Sequence, residues 1–514
     1  MKFTRREFLK GIATTGAGIC IGGLANPRKG LANGTNAQVF KVEECPVHDN
    51  QRRHHGLDTL LDLYADNGLK FYKTNTWHPW GSPSGIIDAD DVVLIKVNCQ
   101  WKCRGTTNTD LVRGLVHRIL KHPDGFNGEV VIFENGQGRG AFDGLTCGGD
   151  NYSAWPDIDN NVWINAEEEN LLTVDYLVNT VFSSSPVSSY LLDPIRNISI
   201  SASDHTTDGY RMIDEVSYPC FTSAGGNRIE LREGLWTGST HTPNLKLINV
   251  PVLKHHGGTG ITGTLKHSYG ILSMSDGYSS IRHYTQSGTQ CGKMWSLVRI
   301  PDLNILDCIW VSHETLRGYP VETTNRSNIL LASSDPIALD YHGSKHVLLP
   351  LGGSLASQHD PDSFDGLINH LTGARDFINA NGGIDGKPTQ MGDENIDVIS
   401  AQPFPVGVVL RPSTLTVSKG GNLNLNAFFV NNTNQPQTVY FATRVKFPSG
   451  DPYPSPGYLY GPVQVDLNAY EIASENVHHT IPTNAPLGTY TYNGLIGTPG
   501  TGLMDKYTFN FEII

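Results

Sequence analysis

The residue types best suited to chemistry concentrate between positions 241 and 283, around a glycine-rich loop. Residues 249–267 read NVPVLKHHGGTGITGTLKH, so an apolar strand pattern leads directly into two lysines, three histidines and four glycines. Five of the 19 histidines fall within residues 241–283, an enrichment that favours a site over surface histidines on a flexible loop. Imidazoles act as metal ligands or acid–base groups near neutral pH, and lysines hold anions or form covalent adducts.

Two earlier strand patterns also end in polar residues. The first reads VVLIKVN at 92–98 and the second EVVIFE at 129–134. Ligands of open α/β sheets collect at the carboxyl ends of the strands, although a lysine within a strand is more often an edge or surface residue. The candidate catalytic residues are Lys96, Lys254, His256 and Lys266; the candidate substrate-binding residues are Asn98, Glu134, Thr262 and His267; the candidate metal ligands are His255 and His283.

The elements that must position these residues follow from periodicity. Apolar runs at 92–97 and 129–133 flank a helical spacing over 108–121, which predicts a strand–helix–strand unit in a parallel or mixed sheet. Asp335 followed by Pro336 predicts a helix start. We therefore expect an α/β domain over 38–402, with an insertion of irregular or short β structure at about 141–240. Alternating patterns after residue 402 predict an all-β immunoglobulin-like sandwich over 403–514.

The N-terminus predicts export. Residues 4–10 read TRREFLK and precede an uncharged stretch, a pattern that resembles a twin-arginine signal peptide, assigned to residues 1–37. This implies the twin-arginine translocase as a partner and a periplasmic or extracellular location, with no transmembrane segment in the mature chain. Removal of six basic residues and one acid changes the formal charge from -12 to 32 minus 49, or -17, which argues against a nucleic-acid partner.

Five sequence blocks carry a family resemblance. They lie at 92–98, 250–256, 260–270, 301–307 and 334–340, and in this order they are similar to the domain-of-unknown-function family 362. Many relatives in that family look like partners of four-iron ferredoxin modules. This chain has no Cys-x2-Cys-x2-Cys run, so no ferredoxin-type iron–sulfur cofactor is expected.

A shorter stretch, residues 256–266, resembles the His-x9-Lys segment of lactate racemase, in which a lysine anchors a nickel-pincer cofactor and histidines shuttle protons. That resemblance implies a cofactor on Lys266 and a base at His256. Three hypotheses follow. The first is an enzyme that binds a small anionic substrate, a metal ion or both at the Lys/His-rich loop. The second is a non-catalytic binding protein of the cell envelope, and the third is a racemase- or isomerase-like proton-transfer enzyme.

Overall fold

A computed structural model describes residues 36–45, 54–76, 78–100, 104–135, 173–271, 284–318, 321–433, 435–469, 471–498 and 502–514. The chain divides into two compact units. The described residues of 36–402 form one unit, which we call the α/β unit, and those of 403–514 form the other, the β unit. The predicted signal peptide lies outside the described residues except for its last two positions. Ala37 is the first residue of a strand.

The α/β unit contains six α-helices and seventeen strands within its described residues. The helices are α1 His55–Asp66, α2 Thr109–Leu120, α3 Val174–Tyr176, α4 Ser287–Lys293, α5 Pro336–Gly343 and α6 Asp365–Ala380. The strands are β1 Ala37–Val42, β2 Tyr72–Lys73, β3 Gly81–Ser82, β4 Val92–Val97, β5 Glu129–Glu134, β6 Val187–Leu191, β7 Gly209–Ile213, β8 Val216–Thr222, β9 Arg228–Glu230, β10 Gly234–Trp236, β11 His241–Thr242, β12 Leu245–Val250, β13 Val252–His256, β14 Gly260–Thr262, β15 Leu303–Ser312, β16 Thr324–Ala332 and β17 Ile396–Ala401. None of the described helices is long and apolar enough to cross a membrane.

A mixed sheet organises this unit. Its strands run in the order β17-β1-β16-β15-β12-β4-β5-β6, and β13 and β14 extend it beyond β15. Strands β12, β4, β5 and β6 are parallel neighbours, whereas β16 is antiparallel to both β15 and β1. The carboxyl ends of the four parallel strands therefore meet at one edge, as the sequence predicted for β4 and β5.

The two faces of the sheet bury different hydrophobic cores, because successive side chains of a strand point to opposite sides. Val93 and Ile95 pack on one side with Leu57 of α1 and Leu111 of α2. Leu94 packs on the other side, in the core that also contains residues of α4, α5 and α6. Burial on both sides explains why β4 reads as an almost continuous apolar run.

The span predicted as an insertion, about 141–240, differs from expectation in one respect. Residues 187–191 form β6, which pairs in parallel with β5 and so belongs to the main sheet. Beyond β6, strands β7–β11 form a separate five-stranded antiparallel sheet. Phe221 and Ile229 of this small sheet join the core that covers the Leu94 face of the main sheet. The short β structure predicted for this span is therefore present, and its strands β7–β11 form a single sheet.

The β unit consists of strands only among its described residues: β18 Val406–Pro412, β19 Thr416–Val417, β20 Asn422–Asn431, β21 Gln437–Lys446, β22 Pro452–Tyr453, β23 Tyr460–Leu467, β24 Ile472–Thr480, β25 Gly488–Thr498 and β26 Gly502–Ile513. They form a three-stranded and a six-stranded sheet. The rings of Phe429 and Phe441, one from each sheet, have centroids 4.9 Å apart. This all-β arrangement confirms the predicted fold class.

Candidate functional site

A buried polar cluster lies where the parallel strands end. Five of the predicted residues belong to it, and we call them the strand-end cluster: Lys96, Asn98, Glu134, Lys254 and His267. Each has less than 8% of its surface exposed. Their positions follow from the topology, because β4 and β5 end side by side and β13 continues directly from the end of β12.

Lys96 lies in a central strand rather than at an edge. It pairs with Phe133 of β5 on one side and with Asn249 of β12 on the other. Its ammonium forms an ion pair with the Glu134 carboxylate and donates to the Val97 carbonyl, with an Nζ–O distance of 2.8 Å. Burial lowers the pKa of Lys96 and raises the pKa of Glu134, and the attraction between the two charges opposes both shifts and favours the ion pair.

Lys254 connects β13 to the loop that follows β4. Its Nζ donates to the Gly105 carbonyl at 2.5 Å and to Asn98 Oδ1 at 3.2 Å. Burial lowers the pKa of Lys254 to about 7; Glu134 opposes this shift and the nearby Lys96 ammonium adds to it. An amine with this pKa is present in both protonation states at neutral pH, which is the property required of an acid–base group.

The hydrogen bonds around His267 define its tautomer. Asn249 Nδ2 donates to Asn304 Oδ1 at 3.1 Å and to the Thr264 carbonyl at 3.3 Å, so Asn249 Oδ1 is left as an acceptor. His267 Nδ1 lies 2.6 Å from that oxygen and must therefore donate to it. The lone pair of neutral His267 is consequently on Nε2, which is buried.

The electrostatic surroundings keep His267 neutral. Burial lowers its pKa well below the ordinary value, and the positive charges of Lys96 and Lys254 lower it further, whereas a hydrogen bond with the Val97 backbone opposes the shift. The carboxylate of Glu134 is already paired with Lys96. An anion entering this cluster would therefore meet a lysine and a neutral imidazole that can accept a hydrogen bond.

A buried carboxylate holds the glycine-rich loop beside the cluster. Asp340 of α5 accepts hydrogen bonds from the amides of Thr264 and Leu265, with N–O distances of 2.5 and 2.9 Å. A Cβ on Gly263 would lie 2.4 Å from Asp340 Oδ1, so the carboxylate approaches the backbone where only glycine leaves room. Because His267 follows this segment, Asp340 positions the histidine.

The other predicted residues occupy different surroundings. Thr262 is buried and pairs with Lys254 across the β13–β14 hairpin. Lys266 Nζ donates to Ser287 Oγ at 3.3 Å and lies 4.7 Å from the centre of the Tyr269 ring. Burial lowers the pKa of Lys266 to about 7. His256 Nδ1 donates to the Gly257 carbonyl at 2.7 Å. Lys266 and His256 thus have neighbours outside the strand-end cluster.

Only one of the two predicted metal ligands, His255, belongs to the described residues. His283 lies outside them. His255 Nδ1 is 3.0 Å from Nε2 of the buried His359, so the two imidazoles share one hydrogen bond. A metal role for His255 and a cofactor role for Lys266 remain predictions.

Sequence reasoning missed the residues that orient the cluster. Asn249 and Asn304 lie opposite each other in β12 and β15 and were overlooked because neither is charged. Each is a single polar residue within an apolar strand, in the segments LINV and LNIL. This interruption of the apolar pattern is the sequence feature that could have indicated them. Tyr210 and Asp193 also adjoin Glu134, from elements of the span predicted as an insertion.

Gly270 provides a test of how tightly the Lys96–Glu134 pair is enclosed. A Cβ at this position would lie 2.5 Å from Lys96 Nζ and 2.9 Å from both Glu134 oxygens. We expect Gly270→Ala to displace the ion pair and to lower the free energy of unfolding by about 1–3 kcal/mol, as overpacking does. Urea denaturation would measure this loss. Gly257→Ala is the control, since a Cβ there meets nothing within 4 Å. If both variants had the same free energy of unfolding, the ion pair would not be packed tightly against Gly270.

Fold and site together define a mixed-sheet α/β unit with a Lys/His cluster at its parallel strand ends. Residues 240–345 match the model of the family described as Domain of unknown function (DUF362). This segment contains Lys254, Lys266, His267 and Asp340, and the match confirms the family resemblance found in the sequence. No curated protein sequence matches the chain.

Solved structures give only slight similarities. The CARDB domain of the PF1109 protein from Pyrococcus furiosus, in complex with di-metal ions, is 14% identical, and the match covers 21% of this chain and 94% of that one with a TM-score of 0.18. A Niemann-Pick type C2 protein from the Japanese carpenter ant is 9% identical over 21% of this chain and 92% of that one, with a TM-score of 0.18. A family 123 glycoside hydrolase from Clostridium perfringens is 12% identical over 21% and 27%, with a TM-score of 0.17. Such scores carry no argument about function.

Proposed function

We propose that the α/β unit is a proton-transfer enzyme that binds a small anionic substrate at the strand-end cluster. Lys254 is the acid–base group, and its ammonium form attracts the anion. His267 Nε2 accepts a hydrogen bond from a substrate hydroxyl or acid group. Lys96 is paired with Glu134, so the positive charge available to the anion is that of Lys254.

One observation carries this proposal: a buried lysine with a pKa of about 7 lies beside a neutral histidine whose tautomer is defined. An acid–base group needs a pKa near the working pH and a neighbour that orients the substrate. The Asn304–Asn249–His267 chain supports the orientation, because each amide is itself held by a hydrogen bond. Export by the twin-arginine route is part of the proposal and is supported by residues 4–10 of the sequence.

The first arm of the test is binding. Small carboxylates and inorganic phosphate are titrated into the full chain by calorimetry, and we expect at least one of them to bind. In Lys254→Met its affinity should fall by at least ~10-fold, since a lost charge-assisted hydrogen bond is worth roughly 1.5–3 kcal/mol. Lys246→Met is the matched control, because Lys246 lies on β12, the strand that precedes β13 in the chain, and pairs with Asp302 at 3.8 Å.

The second arm separates an enzyme from a binding protein. A bound probe with an acidic C–H bond is incubated in D2O, and deuterium incorporation is followed by NMR. The proposal expects exchange by the wild type, no exchange by Lys254→Met, and reduced exchange by His267→Gln. Binding without exchange would favour the non-catalytic envelope protein, and unchanged affinity in Lys254→Met would overturn the site itself.

A further inference from the structure

A second polar cluster lies on the small antiparallel sheet, outside the strand-end cluster. It consists of His205, Glu230 and His241, and we call it the His-Glu-His cluster. Their ligand atoms, two imidazole nitrogens and a carboxylate oxygen, all lie within 4.8 Å of one another. Glu230 follows Ile229, which faces the core, so the cluster occupies the opposite face of the sheet.

The geometry of the cluster is close to that of a metal site. His205 Nδ1 lies 2.7 Å from Glu230 Oε1, and His241 Nε2 lies 2.7 Å from Oε2. Ligand atoms of tetrahedral zinc are separated by roughly 3.3–3.5 Å, as follows from metal–ligand distances of about 2.0–2.2 Å. An ion would therefore need to move each imidazole nitrogen away from its carboxylate oxygen by about 0.7 Å, while the two nitrogens already lie within 4.8 Å of each other. Both imidazoles are partly exposed, at 22% and 26% of their side-chain surface, so an ion and its water ligands have access.

Neighbouring residues orient the three ligands. Arg211 donates to both Glu230 oxygens, with N–O distances of 2.6 and 3.0 Å. Trp236 stacks on His205, with ring centroids 3.8 Å apart and planes 10° from parallel. Carboxylate ligands in metal sites are commonly held by such outer hydrogen bonds. These contacts restrict the rotation of the carboxylate and of one imidazole before an ion arrives.

The charge balance selects the type of ion. Two arginines offset the charge of Glu230: Arg211 at 2.6 Å and Arg228 at 3.7 Å. This weakens the attraction for calcium or magnesium, because these ions are bound chiefly by charged and carbonyl oxygens. Two imidazole nitrogens suit zinc, nickel or copper instead. We propose that the His-Glu-His cluster binds one divalent transition-metal ion of the zinc type. The ion ties together the loop that carries His205 and the strands β9 and β11.

Zinc binding by the full-length chain tests this proposal. Purified protein is stripped with a chelator, titrated with Zn²⁺ by calorimetry, and analysed for bound metal after dialysis. We expect about one ion per chain in the wild type and an affinity at least ~10-fold lower in His241→Ala and in Glu230→Gln, since ligand substitutions remove coordinate bonds. The melting temperature of the wild type should also rise with added zinc, because the ion binds the folded state.

Two controls make the result specific. His346→Ala removes a similar half-exposed histidine, whose Nε2 lies 2.7 Å from Asp393 Oδ1, and His359→Ala breaks the His255–His359 pair. Both variants should bind zinc like the wild type. Absence of zinc binding by the wild type would overturn the proposal. So would a loss of binding confined to His359→Ala, or an affinity unchanged by His241→Ala and Glu230→Gln when circular dichroism confirms that both fold.

Discussion

Replacing Glu134 by leucine is expected to lower the free energy of unfolding of the α/β unit by about 3–5 kcal/mol, the usual effect of leaving one charge of a buried pair without its partner. The side chains of Lys96 and Glu134 are 0% and 3% exposed, so water cannot solvate the remaining ammonium. The double variant Lys96→Met/Glu134→Leu removes both charges and should recover most of the loss. An ion pair replaced by apolar groups of similar size is often neutral for stability.

Urea denaturation followed by tryptophan fluorescence measures this effect. All eight tryptophans precede residue 403, so the signal reports the α/β unit and not the β unit. The control is Glu43→Leu, which breaks the partly exposed Lys41–Glu43 pair and should change stability by less than about 1 kcal/mol. If Glu134→Leu lowered the free energy of unfolding no more than Glu43→Leu does, Lys96 would not carry a charge in the folded protein.

Local patterns were sufficient to predict much of the α/β fold. The strand–helix–strand unit is present as β4, α2 and β5, and β4 and β5 are parallel. Asp335 caps α5 as predicted, because its side chain accepts hydrogen bonds from the amides of Ile337 and Ala338. Strand periodicity and helix caps depend on residues a few positions apart, which a single sequence contains.

The orientation of the site could not be predicted in this way. His267 acquires its tautomer from Asn249, and Asn249 is oriented by Asn304, which is 55 positions away in the sequence. This contact exists only because β12 and β15 are neighbours in the sheet, and a single sequence does not contain the strand order. The His-Glu-His cluster depends in the same way on the pairing of β9, β10 and β11.

The glycine-rich loop illustrates a second limit. Lys254 and Lys266 are twelve positions apart and were expected to face one ligand. The β13–β14 hairpin and the following 3₁₀ turn, Lys266–Gly270, give them different neighbours: Lys254 bonds the loop after β4, and Lys266 bonds Ser287 at the start of α4. Proximity in sequence indicated the region of the candidate site but not which residues each lysine contacts.

The pH dependence of stability should reveal the buried amine of Lys254. Its pKa falls from the ordinary value of 10.5 to about 7 in the folded protein. Between these two values the unfolded chain binds more protons at this residue than the folded chain, so stability rises with pH. Lys254 therefore contributes a slope of about 1.4 kcal/mol per pH unit between about pH 7 and about pH 10. Below pH 7 both states are protonated, so the slope is zero and the cost of burying the ammonium is fully present.

Lys254→Met removes this contribution while other titrating groups, including Lys266, stay in both proteins and largely cancel in the difference. We therefore expect the wild type to gain stability relative to Lys254→Met as the pH is raised from about 7 to about 10, with the slope given by linkage. Urea denaturation at several pH values, followed by tryptophan fluorescence, measures the two curves. Lys246→Met removes a partly exposed lysine, and its curve of unfolding free energy against pH should be parallel to that of the wild type. If the curve for Lys254→Met were parallel as well, Lys254 would keep its ordinary pKa in the folded protein, and the acid–base role proposed for it would lose its physical basis.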